Sequence, residues 1–242
     1  MMNKELINSR FAKTLSSYDE NAKIQKRMAL RLMEYLASNR FDSILEIGCG
    51  TGFLTKVVTE KLEYKTYKAL DIVGECESYI AEINPRIEFI NADIEVEINN
   101  FEEKFDLIIS NAALQWTENF EATVERLYAM LNPRGVLLFS TFGKENFREI
   151  YHVLGTTLKY YSTKELGIMF EKFTPQIEEE IHIMGFSSPK EVLKHLQLTG
   201  VNAIESKSWT KKDLIKFENG YKNLCSARTT LTYNPIYVKI TA

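Results

Sequence analysis

The segment Leu45-Glu46-Ile47-Gly48-Cys49-Gly50-Thr51-Gly52 constrains this 242-residue chain more than any other. A largely apolar run, 44–47, ends in three glycines at alternate positions, and Phe53-Leu54-Thr55-Lys56-Val57-Val58 reads as the first turns of a helix. A strand that passes through glycines into a helix is the geometry in which backbone meets a nucleotide-like ligand. Glycine lacks the Cβ that would block close approach, and it tolerates positive φ. The spacing then separates ligand classes. The dinucleotide fingerprint G-x-G-x-x-G would place its third glycine at 53, where this chain has Phe53.

Around this motif the periodicity alternates. Ile24, Met28, Leu32 and Leu36 at i, i+4 spacing define a helix before the first strand, and residues 6–15 suggest an earlier one. Ser16-Ser17-Tyr18-Asp19 reads as a turn that ends the earlier helix. Strand signals follow at 67–72, 87–90, 105–110 and 136–141, with helix signals at 75–83 and 120–131. Runs such as Leu107-Ile108-Ile109 suit strands buried on both faces of a parallel sheet. Asn132-Pro133-Arg134-Gly135 supplies a turn into the last of these strands. The alternation points to a doubly wound α/β sheet.

Beyond about Gly143 the pattern changes. Ser162-Thr163-Lys164-Glu165 and Ser188-Pro189-Lys190-Glu191 carry capping-box spacing, and Thr210-Lys211-Lys212-Asp213 resembles it. Stretches 177–184 and 231–240 read as strands around a mainly helical segment. The expected organisation is a single domain, 1–242: a helical lid (1–40), a cofactor-binding core (41–142), and a substrate-side part with a helical insertion (143–242).

Open α/β sheets bind ligands beyond the carboxyl ends of their strands. Glu46 and the glycines lie at the first such end, Asp71 at the second, Asp93 just past the third, and Ser110-Asn111-Ala112 at the fourth, with Gln115-Trp116 in the next loop. Asp71 falls 23 positions after Gly48, about the interval at which an acid reaches ribose hydroxyls.

Residues 41–142 resemble the sequence motifs of class I S-adenosylmethionine-dependent methyltransferases. The resemblance implies a mostly parallel seven-stranded Rossmann-like sheet that takes S-adenosyl-L-methionine, releases S-adenosyl-L-homocysteine and needs no metal. It implies that Glu46, Gly48, Cys49, Gly50 and Gly52 hold the methionine part. Asp71 would bond the ribose, Asp93 the adenine amine, and Asn111 and Ala112 would border the cofactor. Ile72 and Ile94 either sandwich adenine or pack in the core.

The flanking segments extend the likeness. Arg10-Phe11-Ala12, Ser17-Tyr18-Asp19, 24–29, 110–116, 139–143, 198–203 and Leu231-Thr232-Tyr233-Asn234-Pro235 resemble the biotin-pathway enzymes that methylate malonyl-[acyl-carrier protein]. The resemblance implies esterification of a carboxylate, which is already ionised at pH 7 with a pKa near ~4 and requires no general base. Tyr18 and Thr141 are then candidate hydrogen-bond donors, and Trp116 either walls the pocket or anchors the core. Family members often carry Arg-Phe where the nearest residues here are Lys159-Tyr160-Tyr161, so Lys159 is a candidate for the malonyl carboxylate, without a guanidinium's planar fork. Arg126 and Lys194 either dock the acidic carrier protein or are ordinary solvated charges. The alternative acceptor is another small acid such as trans-aconitate; a nicotinamide oxidoreductase and an inactive cofactor-binding regulator are the other classes weighed.

Bulk properties narrow the setting. No run reaches the ~18 apolar residues of a membrane span, and residues 1–10 lack a signal peptide's apolar centre. Cys49, Cys76 and Cys225 show no C-x-x-C spacing, and His152, His182 and His195 are dispersed, so neither disulfides nor a zinc site is expected. A net charge of −3 gives no reason to expect nucleic acid as a partner. A cytoplasmic monomer is the expectation.

Overall fold

The computed structural model describes residues 3–200, 210–224 and 228–242. Asn3 starts α1 (Lys4–Asn21) by accepting the Leu6 N–H at 2.9 Å. The helix runs straight through 16–19, where the sequence suggests a turn. Ser17 donates to the Thr14 carbonyl and Asn21 to the Ser17 carbonyl, so the polar side chains bond along the helix and do not end it. After Ala22, α2 (Lys23–Met33) buries Met28, Ala29 and Leu32.

The alternating part follows as β1 (Ser43–Ile47), α3 (Phe53–Lys61), β2 (Thr66–Asp71), α4 (Cys76–Ile83), β3 (Glu88–Asn91), α5 (Ile94–Glu97), β4 (Phe105–Asn111), α6 (Phe120–Ala129) and β5 (Leu131–Phe142). The turn expected at 132–135 is a bulge within β5, with Arg134 at φ +67° and the register against β4 shifted. Then come α7 (Arg148–Leu154), α8 (Thr163–Met169), β6 (Gln176–Glu179), β7 (His182–Phe186), α9 (Pro189–Leu198), α10 (Lys211–Leu224), β8 (Thr229–Tyr233) and β9 (Pro235–Thr241). Ser162 and Glu165 form a reciprocal capping box at α8, and Ser188 caps α9 with Pro189 in its first turn. Thr210 and Asp213 exchange the same bonds at α10.

Seven strands form one sheet in the order β3-β2-β1-β4-β5-β9-β6, with β9 antiparallel to both its neighbours. Successive residues alternate between two apolar layers: Ile44, Ala69, Leu107 and Leu138 face one, Leu45, Leu70, Ile108 and Leu137 the other. Burying each such Leu or Ile contributes about 1.5–3 kcal/mol, which makes the sheet a stiff floor. Chain order reverses between β1 and β4, so their carboxyl ends open a crevice.

Stretches 177–184 and 231–240, expected as single strands, are each divided. β7 pairs with β8 in the register that β6 and β9 set, so the four segments are one ribbon with a break. The break falls at Asn234, whose N–H turns to Asn146 Oδ1 at 3.2 Å, and at Pro235, which has no N–H. The ribbon leaves the main sheet at this break to join the helical cap of α9 and α10.

Candidate active site

The glycine loop after β1 takes φ values of +71°, +53° and +78° at Gly48, Gly50 and Gly52. A Cβ on Gly48 would stand 2.2 Å from Ala113 Cβ, whereas one on Gly50 would meet nothing within 4 Å. Gly48 is thus fixed by close packing, and Gly50 turns an open face to the crevice. The loop is tied to β2: Gly48 N–H donates to the Leu70 carbonyl at 2.8 Å, and Gly50 N–H to Asp71 Oδ2 at 2.8 Å. Val73 N–H takes the other Asp71 oxygen at 2.9 Å. Burial raises the Asp71 carboxyl above its ordinary range, while these N–H groups act in the opposite sense.

α1 lies across the crevice. Lys4, Ile7, Phe11, Leu15 and Tyr18, at helical spacing, line one wall. Four contacts fasten the helix to the strand ends and the glycine loop. Lys4 Nζ reaches Asp93 at 3.2 Å and Glu95 at 2.7 Å, Asn8 Nδ2 donates to the Ile72 carbonyl at 2.9 Å, and Asp19 accepts the Thr51 hydroxyl at 2.7 Å. Asp93 also caps α5 through the Glu95 N–H. Tyr18 is held protonated by burial and by the charges of Asp19 and Asp71.

The end of β4 is locked from two sides. Asn111 donates to the Gln25 carbonyl at 3.0 Å and accepts the Ser140 hydroxyl at 2.7 Å. Ala112 follows at φ +52°, a conformation that costs a non-glycine residue roughly 1–3 kcal/mol and is held by two bonds from its N–H to Ser140. Trp116 meets Phe11 edge-on at 5.5 Å. Beyond this pair is a smaller chamber reached by Tyr18, Gln25, Gln115, Phe142 and Tyr160.

Of the residues singled out in the sequence, Gly48, Cys49, Gly50, Asp71, Ile72, Asp93, Ile94 and Asn111 line the main crevice, and Tyr18, Ala112 and Trp116 line both spaces. Gly52 begins α3. Glu46 lies behind the loop, 1% exposed, accepting the Thr55 hydroxyl at 2.7 Å and that of Tyr67. Burial pushes its carboxyl up to about 7. Thr141 is buried in β5 and lines neither space. Lys159 is exposed over the Tyr161 ring, outside both. Arg126, on α6, and Lys194, on α9, are exposed on helices of opposite layers. Residues 201–203 and Cys225 lie outside the described residues; Cys49 and Cys76 are buried free thiols. Lys4, Asn8, Phe11, Gln25 and Thr51 were not singled out as site residues. The Ile7–Phe11–Leu15–Tyr18 stripe was the available signal, obscured by the turn assigned at 16–19. Among the described residues no acidic, His or Cys cluster could hold a metal, and no helix is long and apolar enough to cross a membrane.

A strand-end crevice roofed by an N-terminal helix matches the class to which comparison assigns the chain. A family model described as a methyltransferase domain matches residues 18–180. The fold is shared with a putative methyltransferase from Bacillus halodurans C-125 (TM-score 0.63, 14% identity, 88% of this chain and 97% of that one). It is also shared with the N-methyltransferase NodS of Bradyrhizobium japonicum WM9, solved with S-adenosyl-l-homocysteine (TM-score 0.57, 15% identity, 97% of each). Sequence kinship is closer to three relatives, each named malonyl-[acyl-carrier protein] O-methyltransferase. That of Calditerrivibrio nitroreducens is 39% identical over 94% of this chain and 92% of its own. Those of Chlorobium luteolum (36%; 98% and 95%) and Acinetobacter baylyi (34%; 98% and 96%) follow. The chain belongs to the malonyl-[acyl-carrier protein] O-methyltransferase family.

Proposed function

We propose that this chain is an S-adenosylmethionine-dependent carboxyl O-methyltransferase. Its acceptor is the free carboxylate of a malonyl group held as a thioester on acyl-carrier protein or coenzyme A, at the start of biotin synthesis. The observation that carries this reading is 39% identity to a relative named for that activity over 94% of the chain, which takes in lid and cap as well as the cofactor half.

The crevice suits the cofactor. The bare face of Gly50 leaves room for the methionyl part beside the loop. Asp71, with both oxygens already steadied by backbone, keeps lone pairs for two ribose hydroxyls. Ile72 and Ile94 offer apolar plates to adenine, and Asp93 an acceptor to its amine. Glu46 acts from behind, holding Thr55 and Tyr67 so that the loop keeps its shape.

When bound, S-adenosylmethionine supplies an electrophilic methyl group on a sulfonium and is left as S-adenosylhomocysteine. The acceptor carboxyl is ionised at neutral pH, so no residue has to remove a proton. What the chain provides is orientation and the exclusion of water. Phe11 and Trp116 separate the crevice from the inner chamber, and Tyr18, a protonated phenol bordering both, donates to the acceptor. Thr141 and Lys159 line neither space, so their candidate roles fall to groups that do.

The transient partner is the acidic carrier protein, with Arg126 and Lys194 as its candidate contacts. We take the working unit to be a monomer. Labelled S-adenosylmethionine offered with malonyl-carrier protein, malonyl-CoA and trans-aconitate tests the reading. Ester formed on a malonyl thioester is the expected result; ester formed only on trans-aconitate overturns it.

A further inference from the structure

A chain of hydrogen bonds whose direction is fixed ends at Tyr160 in the wall of the inner chamber. It begins at Asn234, in the Thr232-Tyr233-Asn234-Pro235 break of the ribbon, whose backbone N–H donates to Asn146 Oδ1 at 3.2 Å. A backbone N–H cannot act as an acceptor, so the side-chain oxygen of Asn146 must face it, and the Asn146 amide nitrogen must face away. That nitrogen donates to the Tyr160 phenol oxygen at 3.0 Å. Asn146 is further held by its own N–H to the Gly143 carbonyl, and Asn234 by the Gly143 N–H on its carbonyl at 2.7 Å. Both asparagines are 1% exposed. The Tyr160 oxygen is therefore an acceptor toward Asn146, and its own proton is left to donate. The buried Thr157 hydroxyl also lies beside the phenol, and, acting like Asn146 as a donor to its oxygen, it leaves the phenol proton to the chamber.

Tyr160 lines the chamber that adjoins the cofactor crevice, and among the described residues no Lys or Arg does. Burial pushes its phenol up to about 12 while the bonds from Asn146 and Thr157 act the other way, so it is a neutral donor at any working pH. A second polar group in the same wall awaits a partner. The Gln115 amide nitrogen donates to the Ala112 carbonyl at 2.6 Å, leaving Oε1 buried with no hydrogen bond. A buried acceptor left in this state is costly unless a ligand donor or a water meets it. The chamber is thus polarised, with a phenol proton in one part of its wall and an amide oxygen in another.

We propose that Tyr160, aimed by Asn146 and Asn234, is a second donor beside Tyr18 that positions the acceptor's carboxylate, and that Gln115 turns the opposite, uncharged end of the acyl thioester toward itself. The assignment rests on the carboxyl-methylation reading above. It replaces the exposed Lys159 with its buried neighbour. A neutral O–H on the non-attacking oxygen holds the carboxylate without the charge neutralisation of an ammonium or guanidinium, which would blunt the attacking oxygen. A carboxylate facing Gln115 Oε1 would meet only repulsion, so the acceptor enters in one orientation.

The test uses the full chain with malonyl-CoA, acetyl-CoA as a non-reacting competitor, and S-adenosylhomocysteine as a probe of the folded cofactor side. Tyr160→Phe is expected to lower kcat/KM for malonyl-CoA about 10- to 100-fold, the usual range for losing a hydrogen bond to a charged group. It should also erase the preference for binding malonyl-CoA over acetyl-CoA, with S-adenosylhomocysteine affinity within about twofold of wild type. Asn146→Asp keeps the phenol but offers it an acceptor that recaptures the proton, so it should reproduce the loss. Unchanged kcat/KM in Tyr160→Phe, or an equal loss of S-adenosylhomocysteine affinity, overturns the proposal while leaving the carboxyl-methylation reading in place. A wild type that binds S-adenosylhomocysteine yet methylates no malonyl thioester overturns both.

Discussion

The cofactor crevice and the inner chamber sit side by side, yet they are built by opposite means. The crevice comes from strand ends whose ligand groups are fixed by neighbouring backbone. Gly50 and Val73 hold Asp71, and Glu95 N–H holds Asp93. The chamber comes from segments far apart in sequence, pinned by buried side chains: Asn146 to Asn234, and Glu149 to the Thr232 N–H at 2.9 Å and hydroxyl at 2.7 Å. Local backbone gives a site that tolerates change around it. A site held by distant side chains can be retuned for a new acceptor without touching the cofactor.

Two glycines should break this contrast most sharply. Gly48→Val combines φ +71° with a Cβ 2.2 Å from Ala113 Cβ, so the loop must shift. We expect S-adenosylhomocysteine binding to be abolished in calorimetry. Gly143→Ala would bring a Cβ to 2.1 Å from Asn234 Oδ1, on the chamber side. Turnover should fall while S-adenosylhomocysteine affinity is retained, and loss of both in each variant would erase the distinction.

Each region also buries a carboxylate, and the two differ. Glu149 accepts a backbone N–H, whereas Glu46 has only hydroxyl donors and one oxygen without a partner. Burial and, secondarily, the charge of Asp71 raise the Glu46 carboxyl from 4.5 to about 7. Because the folded state prefers the protonated acid, the unfolded chain ionises first as pH rises. The stabilisation is therefore complete below about 4.5 and is lost progressively as pH climbs to about 7, on the order of 3 kcal/mol in all. Urea unfolding at pH 5 and pH 7.5 should show this fall in wild type and not in Glu46→Gln. An equal fall in both would place the titration elsewhere.

The same contrast explains what could be read from the sequence. Gly48 to Gly52, Asp71, Asp93 and Asn111 were legible because each sits at a fixed offset from an apolar run, and strand direction brings such ends together. Tyr160 and Asn146 were not singled out as site residues, because what makes them a site is the direction of hydrogen bonds between segments about 14 and 88 residues apart. α1 falls between these cases. Its stripe has helical period, but Ser16-Ser17 masked it, since serine near a helix can either end it or bond back along it. Lys159 was singled out for its charge, whereas the fold leaves it exposed over the Tyr161 ring and buries its neighbour Tyr160.

Smaller effects sharpen the crevice side. Asp71→Ala removes the carboxylate assigned to the ribose and should weaken S-adenosylhomocysteine binding by about 1–3 kcal/mol in calorimetry. Unchanged affinity would leave Asp71 as a loop fastener only, through Gly50 and Val73.

The smallest effect concerns the lid, where the two construction principles meet. Lys4 is the long-range contact on the otherwise local Asp93: its ammonium reaches Asp93 at 3.2 Å and Glu95 at 2.7 Å, and Glu95 in turn accepts the Glu118 and Asn119 N–H groups at 2.8 Å. The pair is about a quarter exposed, so its net contribution should be modest, about 0.5–1 kcal/mol, and weakened by salt. Because α1 is also held by Asn8 and Asp19, Lys4→Met should loosen the start of the helix and not release the whole of it. We expect a two- to fivefold loss of S-adenosylhomocysteine affinity at low ionic strength that shrinks in 0.5 M salt, with faster proteolysis near residue 4. A loss that salt leaves untouched would mean that Lys4 contributes through its aliphatic stem against the crevice wall and not through its charge.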